Sequence, residues 1–261
     1  MVAIDDKNQA LYIGFEKLDD AKSVIVKNFL TKNNIPLSMV ILEETGELIP
    51  VSHGPTISPL EGGAQLNPVG VTWDCTLGFI ANKGTTRVAI TAGHCEAPPG
   101  HDLAGDQQFK HPHSGTVKGT EIANSNKNPP RYSDTLLFAP SVSSNLGKLY
   151  IDGTHTNIIG KKLSQAVGDP LCANGSTSHV KCGTVQLTGV TIFDSGLGGT
   201  LYGQVKVSFT SLGGDSGAAV YKNDPSGGVL IAGVLWCCAG SPSYYSPMSG
   251  IEFEQGILTV N

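Results

Sequence analysis

From about residue 71 to the end of the chain, short apolar runs alternate with turn signals, and this pattern constrains the fold most. Asn82-Lys83-Gly84 and Ser226-Gly227-Gly228 each separate two adjacent runs in the way that hairpin turns do. Repeated short strands with few helix signals predict an all-β barrel or sandwich. A content of 33 Gly and 15 Pro in 261 residues agrees with a loop-rich β protein. The runs are 75–81, 87–92, 134–139, 184–190, 204–209, 217–221 and 229–236.

Residues 1–52 have a different pattern. Residues 10–15 are an apolar strand candidate, and Asp19-Asp20 can cap a following helix because short acidic side chains accept hydrogen bonds from free N–H groups. Apolar residues then recur at helical spacing as far as Asn33-Asn34, and residues 36–43 read as a second strand. The sequence predicts a β-α-β extension, which is too small to be a stable domain alone.

Residues 53–70 contain Pro and Gly throughout and show no periodicity. This composition predicts a linker or draped segment between the extension and a domain over residues 71–261.

The charge pattern excludes several classes of partner. The net charge is −5 and no basic run stands out, so nucleic acid is not an expected partner. No apolar stretch reaches about 18 residues, so no membrane span is expected. His101, His111 and His113 fit an exposed loop better than a metal site. We expect neither a metal nor a cofactor.

Signals for localisation conflict. Six cysteines in a Gly-rich β chain indicate disulfides and an oxidising compartment, which favours a secreted protein. The first residues do not form a signal peptide, because no basic start precedes a long apolar core.

Two motifs carry the chemistry. Thr91-Ala92-Gly93-His94-Cys95 closes one apolar run, and Gly213-Gly214-Asp215-Ser216-Gly217 lies between two others. In this order they resemble the chymotrypsin-like serine proteases, and residues 60–245 come closest to the bacterial α-lytic-like branch. The resemblance implies a mainly β fold of two six-stranded antiparallel β-barrels, about 71–155 and 156–261, with the small N-terminal α/β extension.

The resemblance implies a catalytic triad. Ser216 would be the nucleophile and His94 the general base, since an imidazole that titrates near neutral pH can take the hydroxyl proton. Asp134, at the start of an apolar run, would orient the imidazole. The N–H groups of Gly214 and Ser216 would hold the oxyanion. Three rival acids do not precede a strand of the right kind: Asp102, Asp106 and Asp152.

The cysteines fit the same family. By resemblance, Cys75 pairs with Cys95, and Cys172 pairs with Cys182 in a loop of the bacterial branch. Cys237-Cys238 is either a vicinal disulfide or two free thiols.

The predicted substrate pocket departs from the family. Thr210 stands where the trypsin branch has an Asp, so cleavage after Arg or Lys is not expected. Trp236 stands where the family has a Ser that bonds to the triad Asp. The substrate-binding residues implied by the resemblance are Thr210, Ser211, Gly213, Trp236, Cys237 and Cys238.

A buried Asp215 needs a partner. The bacterial branch supplies an Arg where this chain has Ala173. An amine created near Leu60, a backbone donor, or a distant Lys or Arg remain as alternatives. The first alternative would make residues 1–52 a pro-segment, and the competing view is a permanent subdomain.

The sequence therefore predicts a serine endopeptidase that acts on proteins or peptides through an acyl-enzyme. A protein inhibitor is a further conceivable partner, and the oligomeric state is open. The alternatives are a catalytically inactive binding protein, supported by the unusual pocket wall and by Ala218 in place of a family glycine, and an esterase with the same triad.

Overall fold

A computed structural model describes residues 2–5, 10–15, 19–44, 57–70, 72–96, 107–111, 117–127, 130–194, 199–237 and 242–261. The chain divides into two compact units, Met1–Pro50 and Val51–Asn261.

The N-terminal unit is a three-stranded sheet with one helix. Its elements are β1 (Val2–Asp5), β2 (Ala10–Phe15), α1 (Asp20–Lys32) and β3 (Val40–Glu44). β1 runs antiparallel to β2, and β2 runs parallel to β3. The Asp19 carboxylate accepts a hydrogen bond from the Lys22 N–H at 2.8 Å and so caps α1 as its sequence indicates. The sequence pattern did not indicate β1, and Leu37–Met39 form a 3-10 turn before β3.

The second unit contains the remaining strands and one helix. They are β4 (Leu60–Gly62), β5 (Gln65–Pro68), β6 (Cys75–Thr76), β7 (Phe79–Lys83), β8 (Thr86–Thr91), β9 (Gln108–Lys110), β10 (Val117–Asn124), β11 (Leu136–Pro140), β12 (Ser144–Ile151), β13 (Thr154–Lys161), β14 (Pro170–Gly175), β15 (His179–Asp194), β16 (Gly199–Val207), β17 (Ala219–Asn223), β18 (Val229–Cys237), β19 (Ser243–Pro247), α2 (Met248–Gln255) and β20 (Leu258–Thr259).

These strands form two sheets. One has the order β20-β7-β8-β11-β10-β9-β5-β6, and the other has the order β17-β14-β15-β16-β19-β18-β13-β12-β4. A further pairing of β17 with β18 closes β14 to β19 into a six-stranded ring. The mainly β fold class is confirmed. Only the second barrel is a closed ring, however, because the end strands β20 and β6 do not pair among the described residues and leave the first sheet a half-barrel.

Residues 57–70 lie within the predicted linker but belong to the sheets. β4 runs parallel to β12, and β5 pairs with both β6 and β9. The reason is that Leu60 and Leu66 are buried in the core, despite the surrounding Gly and Pro. Gly62 is required there, since a Cβ would lie 2.1 Å from the Gly78 carbonyl oxygen.

The β8–β11 pairing positions the functional site. Thr91 at the end of β8 lies opposite Leu136 at the start of β11. The chain leaving β8 and the chain entering β11 therefore meet at the same edge of the half-barrel. Its core includes Phe109 and Phe138, whose ring centroids are 4.8 Å apart. None of the helices in the described ranges is both long and apolar enough to cross a membrane.

Candidate active site

His94 and Asp134 meet where β8 ends and β11 begins. His94 lies in the 3-10 turn Gly93–Cys95, and Asp134 lies two residues before β11. The His94 Nδ1 atom is 2.5 Å from Asp134 Oδ2, and the His94 N–H donates to Asp134 Oδ1 at 3.0 Å. Asp134 is completely buried. The carboxylate therefore fixes both the ring and the backbone of His94.

Ser216 approaches the same histidine from the second sheet. It lies in the connection between β16 and β17, and its Oγ is 2.8 Å from His94 Nε2. Its carbonyl accepts a hydrogen bond from the Thr76 N–H at 2.7 Å, which ties the connection to β6. The structure thus brings together all three residues that the sequence predicts as a triad.

The buried Asp134 has a donor that sequence reasoning missed. Asn126, in the 3-10 turn after β10, donates from Nδ2 to Asp134 Oδ1 at 2.6 Å. The Asp134 N–H donates to the Ser246 hydroxyl at 2.9 Å. Asn126 carries no signal in the sequence, because a polar residue after a strand is ordinary turn chemistry.

Trp236 does not take the position of the family's serine as a donor to Asp134. Its indole N–H donates to Gln204 Oε1 at 2.8 Å, and the Ser246 hydroxyl donates to the same oxygen at 2.9 Å. Gln204 in turn donates to the Tyr132 carbonyl at 3.0 Å. These bonds join β16, β18 and β19 behind the loop that carries Asp134.

Asp215 is held by the turn that joins β14 to β15. Its Oδ1 accepts from the N–H groups of Thr177 and Ser178 at 3.0 and 2.9 Å, and its Oδ2 accepts from the Ser178 hydroxyl at 2.5 Å. The Leu212 N–H adds a fourth bond to Oδ2 at 2.7 Å. Asp215 is completely buried. Among the alternatives for its partner, the structure shows backbone donors together with one hydroxyl.

The turn before Ser216 depends on glycine. Gly214 has φ +98°, and a Cβ there would lie 2.2 Å from Thr177 Oγ1. Its carbonyl accepts from Thr76 Oγ1 at 2.8 Å and from Ser176 Oγ at 3.0 Å. These bonds fix the orientation of the peptide that follows Gly214.

A cavity of about 290 Å³ lies beside Ser216. Four of the predicted substrate-binding residues line it, namely Ser211, Gly213, Trp236 and Cys237. Thr210 is exposed and does not line this cavity, because Ser211 is the residue that turns inward to a hydrogen bond with Ser243 at 2.9 Å. Sequence reasoning missed two apolar lining residues, Leu212 and Leu235. Cys238 lies outside the described residues.

Two disulfides support the site. Cys75 is bonded to Cys95 next to His94, and Cys172 is bonded to Cys182 across β14 and β15. Both pairs are those that the resemblance implies. Cys237 is disulfide-bonded as well.

The described ranges contain no cluster of three or more His, Cys, Asp or Glu side chains that could hold a metal ion. His111 is buried, while His101 and His113 lie outside the described residues.

The mainly β fold and the Asp134–His94–Ser216 arrangement resemble those of the chymotrypsin-like serine proteases. Within this class the homologues of the chain are streptogrisins and other bacterial serine proteases, which confirms the resemblance. No family model matches the chain.

Among the curated relatives, streptogrisin-C of Streptomyces griseus is 27% identical over 194 residues, which cover 71% of this chain and 38% of the relative. Streptogrisin-A of the same organism is 24% identical over 192 residues, covering 74% of this chain and 58% of the relative. The chain therefore spans between about two fifths and three fifths of the length of these two relatives.

Solved structures of bacterial serine proteases are similar to this chain in fold. A glutamic acid-specific serine protease that uses a histidine triad in substrate binding has a TM-score of 0.61 and 25% identity, covering 77% of this chain and all of that one. An α-lytic protease homologue has a TM-score of 0.58 and 23% identity, covering 77% of this chain and 99% of that one, and it supports the fold alone.

Proposed function

We propose that the chain is a serine endopeptidase that hydrolyses peptide bonds through an acyl-enzyme. The continuous line of hydrogen-bonding atoms from Asp134 through His94 to Ser216, beside an open cavity, carries this proposal. Its substrates are proteins or peptides, the class on which the homologous proteases act.

The reaction begins with attack of Ser216 Oγ on the scissile carbonyl carbon. His94 Nε2 takes the hydroxyl proton as the bond forms, and the imidazolium then gives that proton to the leaving amine. Water attacks the resulting ester with His94 again as the base, which releases the acid and restores Ser216. Asp134 holds Nδ1 protonated throughout, so that Nε2 faces Ser216 as the acceptor.

The oxyanion formed in both steps is assigned to the N–H groups of Gly214 and Ser216. The positive φ of Gly214 and the two hydrogen bonds to its carbonyl support this assignment, because they fix the turn before substrate arrives. Losing one such donor typically costs about 3–4 kcal/mol in the barrier.

The cavity favours an apolar or small substrate side chain over Arg or Lys. Leu212, Leu235 and Trp236 supply apolar surface, and no carboxylate is present among the described lining residues. A buried cationic side chain would lack a charged partner there, which is costly.

A fluorophosphonate probe tests the chemistry directly. It should label wild-type protein at Ser216, and labelling should vanish in Ser216→Ala and in His94→Ala. Ser226→Ala, at an exposed hairpin position, is the matched control and should label normally. A folded protein that takes no label would favour the inactive binding protein, and ester hydrolysis with no cleavage in a peptide library would favour the esterase. The same library reports the side-chain preference.

We also propose that this site needs no new N-terminus at Leu60. The Asp215 carboxylate is already satisfied by Thr177, Ser178 and Leu212, and the Leu60 N–H donates to the Ser143 carbonyl within the sheet. On this view residues 1–52 form a permanent subdomain, and catalysis does not require their removal. Intact-mass measurement of probe-labelled protein tests this. Label found only on chains cut before Leu60 would exclude it.

A further inference from the structure

We propose that Asn126 is a positioning residue that holds the Asp134 carboxylate in its catalytic orientation. The inference rests on the proposed peptidase function. Asp134 is fully buried, and Asn126 Nδ2 lies 2.6 Å from its Oδ1. Asn126 comes from the turn after β10, a segment that carries none of the triad residues.

The orientation of the Asn126 amide is fixed by its two partners. Arg131 Nη1 donates to Asn126 Oδ1 at 3.0 Å, and a guanidinium can only donate. The Asp134 carboxylate on the other side can only accept, so the amide nitrogen must face it. Arg131 is itself buried, and its carbonyl accepts from the Tyr202 N–H at 2.9 Å. Arg131 therefore holds Asn126, and Asn126 holds Asp134.

The two carboxylate oxygens have separate partners. Oδ2 faces His94 Nδ1, while Oδ1 accepts from the His94 N–H and from Asn126. Without the Asn126 bond, Oδ1 keeps the His94 N–H alone, and the carboxylate can rotate out of the plane that suits the imidazole. The amide thus acts on His94 only through Asp134.

The backbone leaves room for this contact. A Cβ on Gly93 would lie 2.7 Å from both Asn126 Nδ2 and Asp134 Oδ1. Only glycine at this position lets the amide and the carboxylate close on the turn that carries His94. The glycine of the TAGHC motif therefore serves the same contact.

Removing Asn126 should change the titration of His94. A donor to Asp134 disperses the charge of the carboxylate, so its loss leaves Asp134 a stronger acceptor for the imidazolium, and the pKa of His94 rises. The other charged groups nearby remain in place. Arg131 faces Asn126, Glu96 accepts from Asn124, and Glu254 accepts from the Ser133 hydroxyl.

The test measures the second-order rate constant of fluorophosphonate labelling from pH 5 to pH 9. Asn126→Ala should label about 10- to 100-fold more slowly than wild type at pH 8, as expected for a lost hydrogen bond to a charged group. The acid limb of its pH profile should move to higher pH. Asn126→Asp is nearly isosteric and adds a carboxylate beside Asp134, so it should move the limb the same way. Asn157→Ala, which loses only an exposed bond from Lys148, is the matched control.

The outcomes separate the two levels of proposal. If wild-type protein does not label, the proposed function fails. If wild type labels and both Asn126 variants stay within two-fold of it, the positioning role fails. Slower labelling with an unmoved acid limb, after correction for the folded fraction by near-ultraviolet circular dichroism, also overturns the role, because a purely structural defect would give that pattern. Should Asn126→Ala not fold, the isosteric Asn126→Asp profile decides alone.

Discussion

Two completely buried carboxylates support the site, Asp215 next to Ser216 in the chain and Asp134 beside His94, and they are held in different ways. Asp134 depends mainly on side chains, since the Asn126 amide and the His94 ring each contact it and the His94 N–H adds a single backbone bond. Asp215 depends mainly on backbone, because Thr177, Ser178 and Leu212 offer it three N–H groups and one hydroxyl. Within the part of the chain that the structure describes, neither carboxylate is bonded directly to a Lys or Arg side chain.

The difference indicates what each carboxylate is for. Asp134 must respond to an imidazole that changes charge during the reaction, so one oxygen stays available to His94. Asp215 has no such task. Three of its four bonds anchor the turn 213–217 to the β14–β15 hairpin, and the fourth, from the Leu212 N–H, lies within the same connection. Together these donors satisfy a buried anion without a counter-ion. Changes at Asp134 should therefore alter the pH profile, and changes at Asp215 should alter the geometry of the turn.

The largest effect is expected for Asp134→Asn. The amide would favour the wrong imidazole tautomer, and activity should fall by about 10⁴-fold at pH 8. Peptide hydrolysis or probe labelling measures this. Asp152→Asn is the control, because Asp152 is an exposed acid 3.4 Å from His179. If activity fell in Asp152→Asn and not in Asp134→Asn, the assignment of Asp134 as the triad acid would be refuted.

Asp215→Asn should cost less, about 10²- to 10³-fold, through a displaced oxyanion turn. The amide nitrogen of the new Asn replaces one carboxylate oxygen and cannot accept a hydrogen bond. It must therefore face either the N–H groups of Thr177 and Ser178 or the N–H group of Leu212. The rate should fall at every pH while the acid limb stays in place. A shifted limb would instead show that Asp215 acts on His94, and the contrast between the two carboxylates would collapse.

The sequence predicts the three triad residues but not the residues that hold the two buried carboxylates. His94, Asp134 and Ser216 stand in short motifs, and β8 and β11 have apolar patterns that predict strands. Asn126 and Ser178 have no such mark, because each matters only through a carboxylate that folding brings near from elsewhere in the chain. A pattern read along the chain reports local periodicity and cannot report these pairings.

The same limit explains the error over residues 57–70. Their Pro and Gly content is typical of a linker, yet β4 and β5 are strands because partners at β12 and β9 supply the hydrogen bonds. The pocket was predicted in part for a related reason. Leu212 and Leu235 are ordinary core residues by sequence, and only the fold shows that they face the cavity beside Ser216.

Removing the Cys172–Cys182 disulfide tests whether the hairpin is rigid enough to hold Asp215. A Cys172→Ala, Cys182→Ala variant should lose about 3 kcal/mol of unfolding free energy, since the bond closes a loop with a sequence separation of 10. Urea unfolding measures the loss. The Cys75–Cys95 bond is kept in this variant, because it lies next to His94. Labelling of the folded variant at the wild-type rate would mean that the hairpin does not need its disulfide to position Asp215.

Ser178→Ala should reduce the free energy of unfolding by less than removal of the Cys172–Cys182 disulfide does. The variant keeps the N–H bonds from Thr177, Ser178 and Leu212 and loses only the hydroxyl bond, so the free energy of unfolding should fall by about 1.5–3 kcal/mol. The acid limb should stay at its wild-type position, unlike that of Asn126→Ala. Ser226→Ala, on the exposed hairpin, is the control for serine removal. An acid limb displaced in Ser178→Ala would contradict the separation of the two networks.

The smallest effect concerns the loop that carries Asp134. The Glu254 carboxylate accepts bonds from the Tyr132 N–H and the Ser133 hydroxyl. Burial raises the pKa of Glu254 above its ordinary value of 4.5, although those donors and the nearby Arg131 partly oppose the rise. Glu254 therefore contributes stability that is fully present below the ordinary value and is lost as pH rises through the raised pKa. Thermal unfolding of wild type and Glu254→Gln should be measured from pH 4 to pH 7. The stability of wild type relative to the variant should decrease as pH rises. The slope is small because solvent screens a half-buried group, and the opposite slope would show that the donors outweigh burial.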